Sequence, residues 1–429
     1  LSPAGCFGPR ENWATTASRF PDTPDSEVFE VTSRELPTPK PTMSYLIRDR
    51  DQHLANDGTP KRILALDGGG LRGILSLALL QKIEDVLRAR HGAGDDFRLC
   101  HYFDLIAGTS TGAIIAATLA LGWSVEELRG KYLALGERVF EKSWLRQGLV
   151  RAKYDEVKLI AELKKVFGAT TTLGDPALKT GLLVMTKRID SGSPWPLSNH
   201  ARGKYFAARA GGVIGNGEFP LWQVVRASTA APAFFEPETI TIARGPGKKT
   251  IAGEFVDGGV SPYNNPSFAA LMFATLEGYR VGWPTGPDRL LVVSVGTGVA
   301  DPQVAHASLA AKQALNALLS LMEDSAAMQE TLMQWLSVSP TARVLDRQIG
   351  DLKNDTLGGA KLLSYLRYNV DLDAASVQKL DPSLQNSKVI TGLSAMDAPE
   401  NMALLHRLGE LAGARDIDPA HFPKVFDLA

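Results

Sequence analysis

The sequence predicts an α/β protein whose largely parallel sheet is covered on both faces by helices. Two observations carry that expectation. An apolar run, a glycine-rich turn and a helix-periodic stretch follow one another twice between residues 62 and 121. Three further strand-like runs, with helical stretches between them, come later in the chain.

In the first unit, Arg62-Ile-Leu-Ala-Leu66 has the length and apolarity of a buried strand, and Asp67-Gly-Gly-Gly-Leu-Arg-Gly73 follows as a turn. Within Ile74 to Arg90, Leu75, Leu79, Ile83 and Val86 recur at helical spacing, Glu84, Asp85 and Arg88 lie off that stripe, and Gly92 is a natural stop. The second unit repeats the order: strand-like Tyr102 to Ala107, a sharp turn over Gly108-Thr-Ser-Thr-Gly112, and an apolar helix over Ala113 to Leu121. Further strands are expected at Thr180 to Met185, Ile251 to Val256 and Leu290 to Val295, the last two running into Asp257-Gly-Gly259 and Gly296-Thr-Gly298. From Ser308 onward the pattern is mainly helical, and no repeat of solenoid period occurs. Residues 1–60 hold 8 of the 25 prolines, Pro37, Pro39 and Pro41 among them, and read as an extended arm. The expected organisation is therefore that arm, an α/β unit over 61–300, and a mainly helical part over 301–429 packed on it.

The 429 residues are 44% hydrophobic and 22% charged, the composition of a folded chain with a substantial core. Basic and acidic residues number 46 and 47, so no charge excess points to nucleic acid as a partner. Cys6 and Cys100 are too few for a disulfide framework and lack zinc-site spacing. No run of 18 apolar residues occurs; Leu105 to Trp123 comes nearest and is broken by residues 108–112. The opening Leu1-Ser-Pro-Ala-Gly5 has no basic stretch or apolar signal core, and a cytoplasmic location is the expectation.

Gly108-Thr109-Ser110-Thr111-Gly112 fits G-x-S-x-G between an apolar strand and an apolar helix, the setting of a nucleophile elbow. Such a serine must sit on a tight, strained turn, which only glycine-sized neighbours permit. An ordinary Gly/Ser/Thr turn is the competing reading. About forty residues upstream, Asp67 to Gly73 brings the unobstructed amides of Gly69, Gly70 and Leu71 to the start of a helix, where negative charge collects. In an acyl hydrolase that charge is the tetrahedral oxyanion, and Arg72 would steady the loop or meet a lipid phosphate. Gly68, Gly70 and Gly73 also spell G-x-G-x-x-G, so a nucleotide- or dinucleotide-binding protein is the alternative; that fold wants an acidic residue ending the second strand, where this chain has Gly108-Thr-Ser110.

The serine needs a proton acceptor. None of the seven histidines lies in a glycine turn at a strand end, and although Ser110, Asp257 and either His306 or His406 would imitate a triad in order, neither histidine has supporting context. Asp257 is better placed, at a strand end directly before Gly258 and Gly259. A Ser-Asp device follows. An ordinary aspartate, with pKa about 3.9, is a weak base, so the site must be partly dry. The competing reading of Asp257 is a turn former.

Four blocks in order, Asp67 to Gly73, Gly108 to Gly112, Ala227-Ser-Thr-Ala-Ala-Pro232, and Asp257 to Gly259 followed by Asn264-Asn-Pro266, resemble the patatin-like phospholipase family. The resemblance covers roughly Lys61 to Gly298. It implies a three-layer α/β/α fold with a helical C-terminal extension, Ser110 as nucleophile, Asp257 as base, and the Gly68 to Leu71 backbone as oxyanion hole. Arg72, Gly108, Gly112, Gly258 and Gly259 support them, and no metal or cofactor is implied. Ser228 receives no chemical task beyond a turn hydrogen bond. The implied activity is hydrolysis of carboxylic esters of membrane glycerophospholipids, which makes a phospholipid surface the partner, reached peripherally; a catalytically silent lipid-binding scaffold is a further alternative. Some bacterial relatives resemble effectors switched on by cyclic nucleotides in anti-phage systems, others constitutive lipases or secreted toxins, and the residues do not choose among them. Phe140 to Val150, with Trp144 among Lys142 and Arg146, and the methionine-rich Leu315 to Leu336 are candidates for a membrane interface, for core packing, or for a homo-oligomer contact.

Overall fold

A computed structural model of the chain describes residues 45–139, 156–245, 249–299 and 310–429. The strands are β1 (Lys61–Leu66), β2 (Leu105–Thr109), β3 (Gly181–Arg188), β4 (Ser193–Ser198), β5 (Glu238–Arg244), β6 (Thr250–Asp257), β7 (Leu290–Val295), β8 (Ser337–Val338) and β9 (Leu363–Tyr368). The helices are α1 (Arg50–His53), α2 (Gly73–Arg90), α3 (Leu99–Tyr102), α4 (Thr111–Ala120), α5 (Val125–Val139), α6 (Glu156–Phe167), α7 (Leu221–Ser228), α8 (Ser267–Thr275), α9 (Ala310–Leu336), α10 (Ala374–Leu380), α11 (Ser387–Gly392) and α12 (Met402–Asp416).

β1 lies at the centre of the sheet, parallel to β2 on one side and β7 on the other; β3 continues in parallel beside β2, and β9 beside β7. Residues 63–66 of β1, 105–107 of β2, 182–185 of β3 and 290–293 of β7 read as apolar runs because both faces are covered. Leu64, Leu66, Ile106, Leu182, Leu291 and Val293 join one core with residues of α2, α4, α7 and α12. Ile63, Leu105, Leu183, Leu290 and Val292 point the opposite way into a second core, with Ala270 and Phe273 of α8 and Met333 of α9. Alternate residues of each strand thus serve alternate layers, and the three-layer α/β/α arrangement follows.

The structure departs from the sequence reading in three places. The later strands are not all parallel: β6 runs antiparallel to β3, and β4 and β5 are antiparallel to β3 and β6. Apolarity marks a run as a strand without giving its direction. The segment after Ser308 opens with the long helix α9, as expected, but also supplies β8 and β9, and β9 extends the central sheet. The strand expected to begin at Tyr102 begins at Leu105, because Leu99–Tyr102 is one helical turn.

The register around β3 positions the site. β4 pairs with residues 183–188 along one edge of β3, which leaves β2 (residues 181–185) and β6 (residues 186–188) to share the other edge in succession. β2 runs up that edge and ends at Thr109 opposite Met185; β6 runs down it and ends at Asp257 opposite Thr186. Two strands therefore meet head to head, and the residues leaving them are Ser110 and Asp257.

Candidate active site

Ser110 follows β2 without an intervening loop and caps α4 with φ 54° and ψ −123°, a conformation that costs a non-glycine residue of order 1–3 kcal/mol. The flanking glycines make the turn possible. A Cβ on Gly108 would strike the backbone of Gly112, and one on Gly112 would strike the Leu66 carbonyl. The hydroxyl is thereby raised off the sheet edge, where Ser110 Oγ donates to Asp257 Oδ2 at 2.5 Å.

Asp257 is 3% exposed, and its other oxygen, Oδ1, accepts from the Gly259 amide at 2.7 Å. A Cβ on Gly258 would strike the Met185 carbonyl, so the turn after Asp257 presses directly on β3. Burial pushes the Asp257 carboxyl up from 3.8 to about 6, with the hydrogen bonds from Ser110 and Gly259 and the charge of Arg226 opposing the rise. Such a carboxylate is ionised at neutral pH yet far more basic than a solvated one, which meets the need for a partly dry base. Among the described histidines none lines the cavity at Ser110: His406 faces Glu410 and Arg129, and His53 is held by Asp104. His306 lies outside the described residues.

Hydrogen bonding sorts the four amides of the glycine loop. Gly68 N–H is spent on the Asn264 carbonyl at 3.1 Å and Leu71 N–H on the Met396 carbonyl at 2.7 Å. Those two are thus not free donors, a correction to the sequence reading that no residue pattern announces. Gly69 and Gly70 line the cavity beside Ser110, and among the described residues their amides donate to nothing. Gly70 has φ +58°, and a Cβ there would strike the Met396 carbonyl. Arg72 is buried and is not among the residues that line the cavity; the charges of Glu323 and Asp67 act on it.

Three residues around the loops went unassigned by sequence reasoning. Ser228 Oγ accepts the Ser110 amide at 2.9 Å and donates to the Met185 carbonyl at 2.7 Å, bracing the strained turn against β3. The Tyr132 hydroxyl, from α5, donates to the Gly70 carbonyl at 2.7 Å and lies 2.5 Å from Thr111 Oγ1, joining the two motif loops. Arg367, at the end of β9, forms a two-pronged ion pair with Asp67 at 2.5 and 3.0 Å. Only the Ala227 to Pro232 block offered a signal, for Ser228; the other two come from elements with no motif of their own.

The rest of the cavity is apolar, with Ile114, Leu135, Leu159, Phe235, Leu319 and Met322 on its walls. Leu319 and Met322 come from α9, so the methionine-rich segment serves partly as cavity wall, while Met333 is core and Met328 is exposed. The Phe140 to Val150 candidate lies outside the described residues. Among the described residues no helix is long and apolar enough to cross a membrane, and no cluster of His, Cys, Asp and Glu could hold a metal ion.

Fold and site together give an α/β protein in which a serine and an aspartate, each leaving the carboxyl end of a strand, are hydrogen-bonded to one another. Residues 64–271 match the family model described as patatin-like phospholipase. A "cGAMP-activated phospholipase" of Escherichia coli (strain TW11681) is 29% identical, covering 49% of this chain and 55% of that protein. A "cUMP-AMP-activated phospholipase" of Escherichia coli is 31% identical over 56% of this chain and 65% of that protein. An "Intracellular phospholipase A2" of Caenorhabditis elegans is 32% identical over 48% of this chain and 16% of that protein. The chain thus spans between about a sixth and two thirds of the length of these relatives.

Proposed function

We propose that this protein is a serine acyl hydrolase that cleaves carboxylic esters of membrane glycerophospholipids. The 2.5 Å approach of Ser110 Oγ to Asp257 carries the reading: a hydroxyl on a strained turn, held by a buried carboxylate, beside unspent amides and an apolar cavity. Asp257 accepts the hydroxyl proton as Ser110 Oγ bonds to the ester carbonyl carbon. The carbonyl oxygen becomes negative and takes hydrogen bonds from Gly69 and Gly70. The intermediate collapses with loss of the lysophospholipid alcohol, whose oxygen receives the proton from Asp257. Water, deprotonated by the same carboxylate, then attacks the acyl-serine, releasing the fatty acid and restoring the hydroxyl. No metal or cofactor takes part in these steps.

Apolar walls suit an acyl chain, and such a substrate is met at a bilayer surface, so the protein would act there peripherally. The names of two relatives support a cyclic dinucleotide as activator. Fatty-acid release from phosphatidylethanolamine/phosphatidylglycerol vesicles, measured for wild type, Ser110→Ala and Asp257→Asn with and without a panel of cyclic dinucleotides, tests both parts. Release abolished by either substitution is expected; full activity in either removes that residue's role, and a rate indifferent to every dinucleotide removes the activator.

A further inference from the structure

The turn that closes β7, Gly296-Thr297-Gly298, holds neither member of the serine–aspartate pair. Its threonine is nevertheless 3% exposed, and Thr297 Oγ1 donates to the Gly68 carbonyl at 2.9 Å. A trans peptide carries its C=O and N–H on opposite sides of one plane. The peptide that ends in the Gly68 carbonyl is the one that begins with the Gly69 amide. Anchoring that oxygen on Thr297 therefore sends the Gly69 N–H the other way. The second contact to the same oxygen, from Asn264 Nδ2, is long at 3.4 Å.

The anchor is itself immobilised. Ser76 Oγ donates to the Gly296 carbonyl at 2.7 Å, the Gly296 amide donates to the Tyr368 carbonyl at 2.9 Å, and the Gly298 amide donates to Asn369 Oδ1 at 2.8 Å. A Cβ on Gly69 would run into the Thr297 side chain, so threonine and loop are fitted face to face.

We infer that Thr297 is a positioning residue for acyl transfer: through the Gly68 carbonyl it fixes the 68–69 peptide plane and aims the Gly69 amide at the oxygen that turns negative. Thr297 is not among the residues that line the cavity. Its contribution grows as charge develops on the oxygen, so it falls on turnover and not on ground-state binding. The inference rests on the acyl-hydrolase reading above.

The test compares Thr297→Val, which removes the donor at nearly constant shape, with Thr297→Ser, which keeps it. For Thr297→Val, kcat on a phospholipid ester falls about ten- to a hundredfold, short of the 10²–10³ typical of losing a whole oxyanion donor, while KM moves by less than about twofold. Inhibition by a trifluoromethyl ketone, which presents an oxyanion to the site, weakens by the same factor; the melting temperature falls by only about 2–4 °C, and Thr297→Ser restores kcat. Should the valine variant fail to fold, Thr297→Ala removes the same donor and gives the same readings. Wild-type kcat in the donorless variant, or a loss that serine does not restore, overturns the inference while the reading of Ser110 and Asp257 stands. A wild-type protein that cleaves no ester and leaves Ser110 unlabelled by a fluorophosphonate overturns that reading, and the role of Thr297 with it.

Discussion

Asp257 pairs with Thr186 one position beyond the Met185–Thr109 pair, on the same edge of β3, so the ends of β2 and β6 abut and Ser110 meets Asp257. The contact is made by strand register, with no mobile loop between sheet and side chain. Each half of the pair is then locked locally: Ser110 by Ser228, Asp257 by Gly259.

The buried carboxylate sets the pH dependence. With the Asp257 carboxyl raised to about 6, the proton-accepting form is lost as pH falls through that value. We predict that kcat/KM rises from acid to a plateau above pH 7 with an apparent pKa of about 6. The proton affinity should climb further in Ser110→Ala, which lacks one of the hydrogen bonds that favour the charged form; carbon-13 NMR of the aspartate carboxyl reads this directly.

The same raised value costs stability. Because the folded state binds the Asp257 proton more tightly than the unfolded chain, its favourable contribution is full below the unfolded value of 3.8 and declines until pH passes about 6. Asp257→Asn removes the charge while keeping an acceptor for Ser110. It should raise stability at pH 8 by about 1–3 kcal/mol and leave it nearly unchanged at pH 4, as measured by denaturant unfolding.

Within the glycine loop the two free amides should matter for turnover and the two spent ones for folding. Gly70→Ala forces a side chain onto a backbone at φ +58° and disturbs a cavity-facing donor; kcat should fall about 10²–10³-fold. Leu71→Ala leaves its amide on Met396 and should cost stability, about 2–5 kcal/mol for a buried leucine, with a far smaller change in kcat.

The Arg367–Asp67 pair links the C-terminal segment to the loop. Arg367→Met leaves Asp67 buried without its partner and should destabilise by about 3–5 kcal/mol. Adding Asp67→Asn should recover part of that loss; a double variant no more stable than the single would remove the pair from the account.

Much of this site is legible in the residues. Gly108 to Gly112, Asp67 to Gly73 and Asp257 to Gly259 each sit where an apolar strand ends, and glycine in such a turn signals close backbone approach. The head-to-head meeting of β2 and β6 is not legible, because Ile251 to Val256 reads the same in either direction. β9 is not legible either, because Leu363-Ser-Tyr-Leu-Arg-Tyr368 carries a polar residue and an arginine into the sheet, and Arg367 is tolerated there because it pairs with Asp67. The spent amides of Gly68 and Leu71, and the bracing by Ser228, Tyr132 and Thr297, depend on partners from distant parts of the chain.

In the proposed mechanism the Asp257 carboxylate activates the Ser110 hydroxyl. The most direct test of that activation is the rate at which a fluorophosphonate phosphonylates the protein, with the modified residue found by mass spectrometry. Modification of Ser110 alone is expected, with a rate that rises through about pH 6 and drops by about 10⁴-fold or more in Asp257→Asn. Labelling elsewhere, or labelling of Ser110 at an unchanged rate in Asp257→Asn, would contradict it.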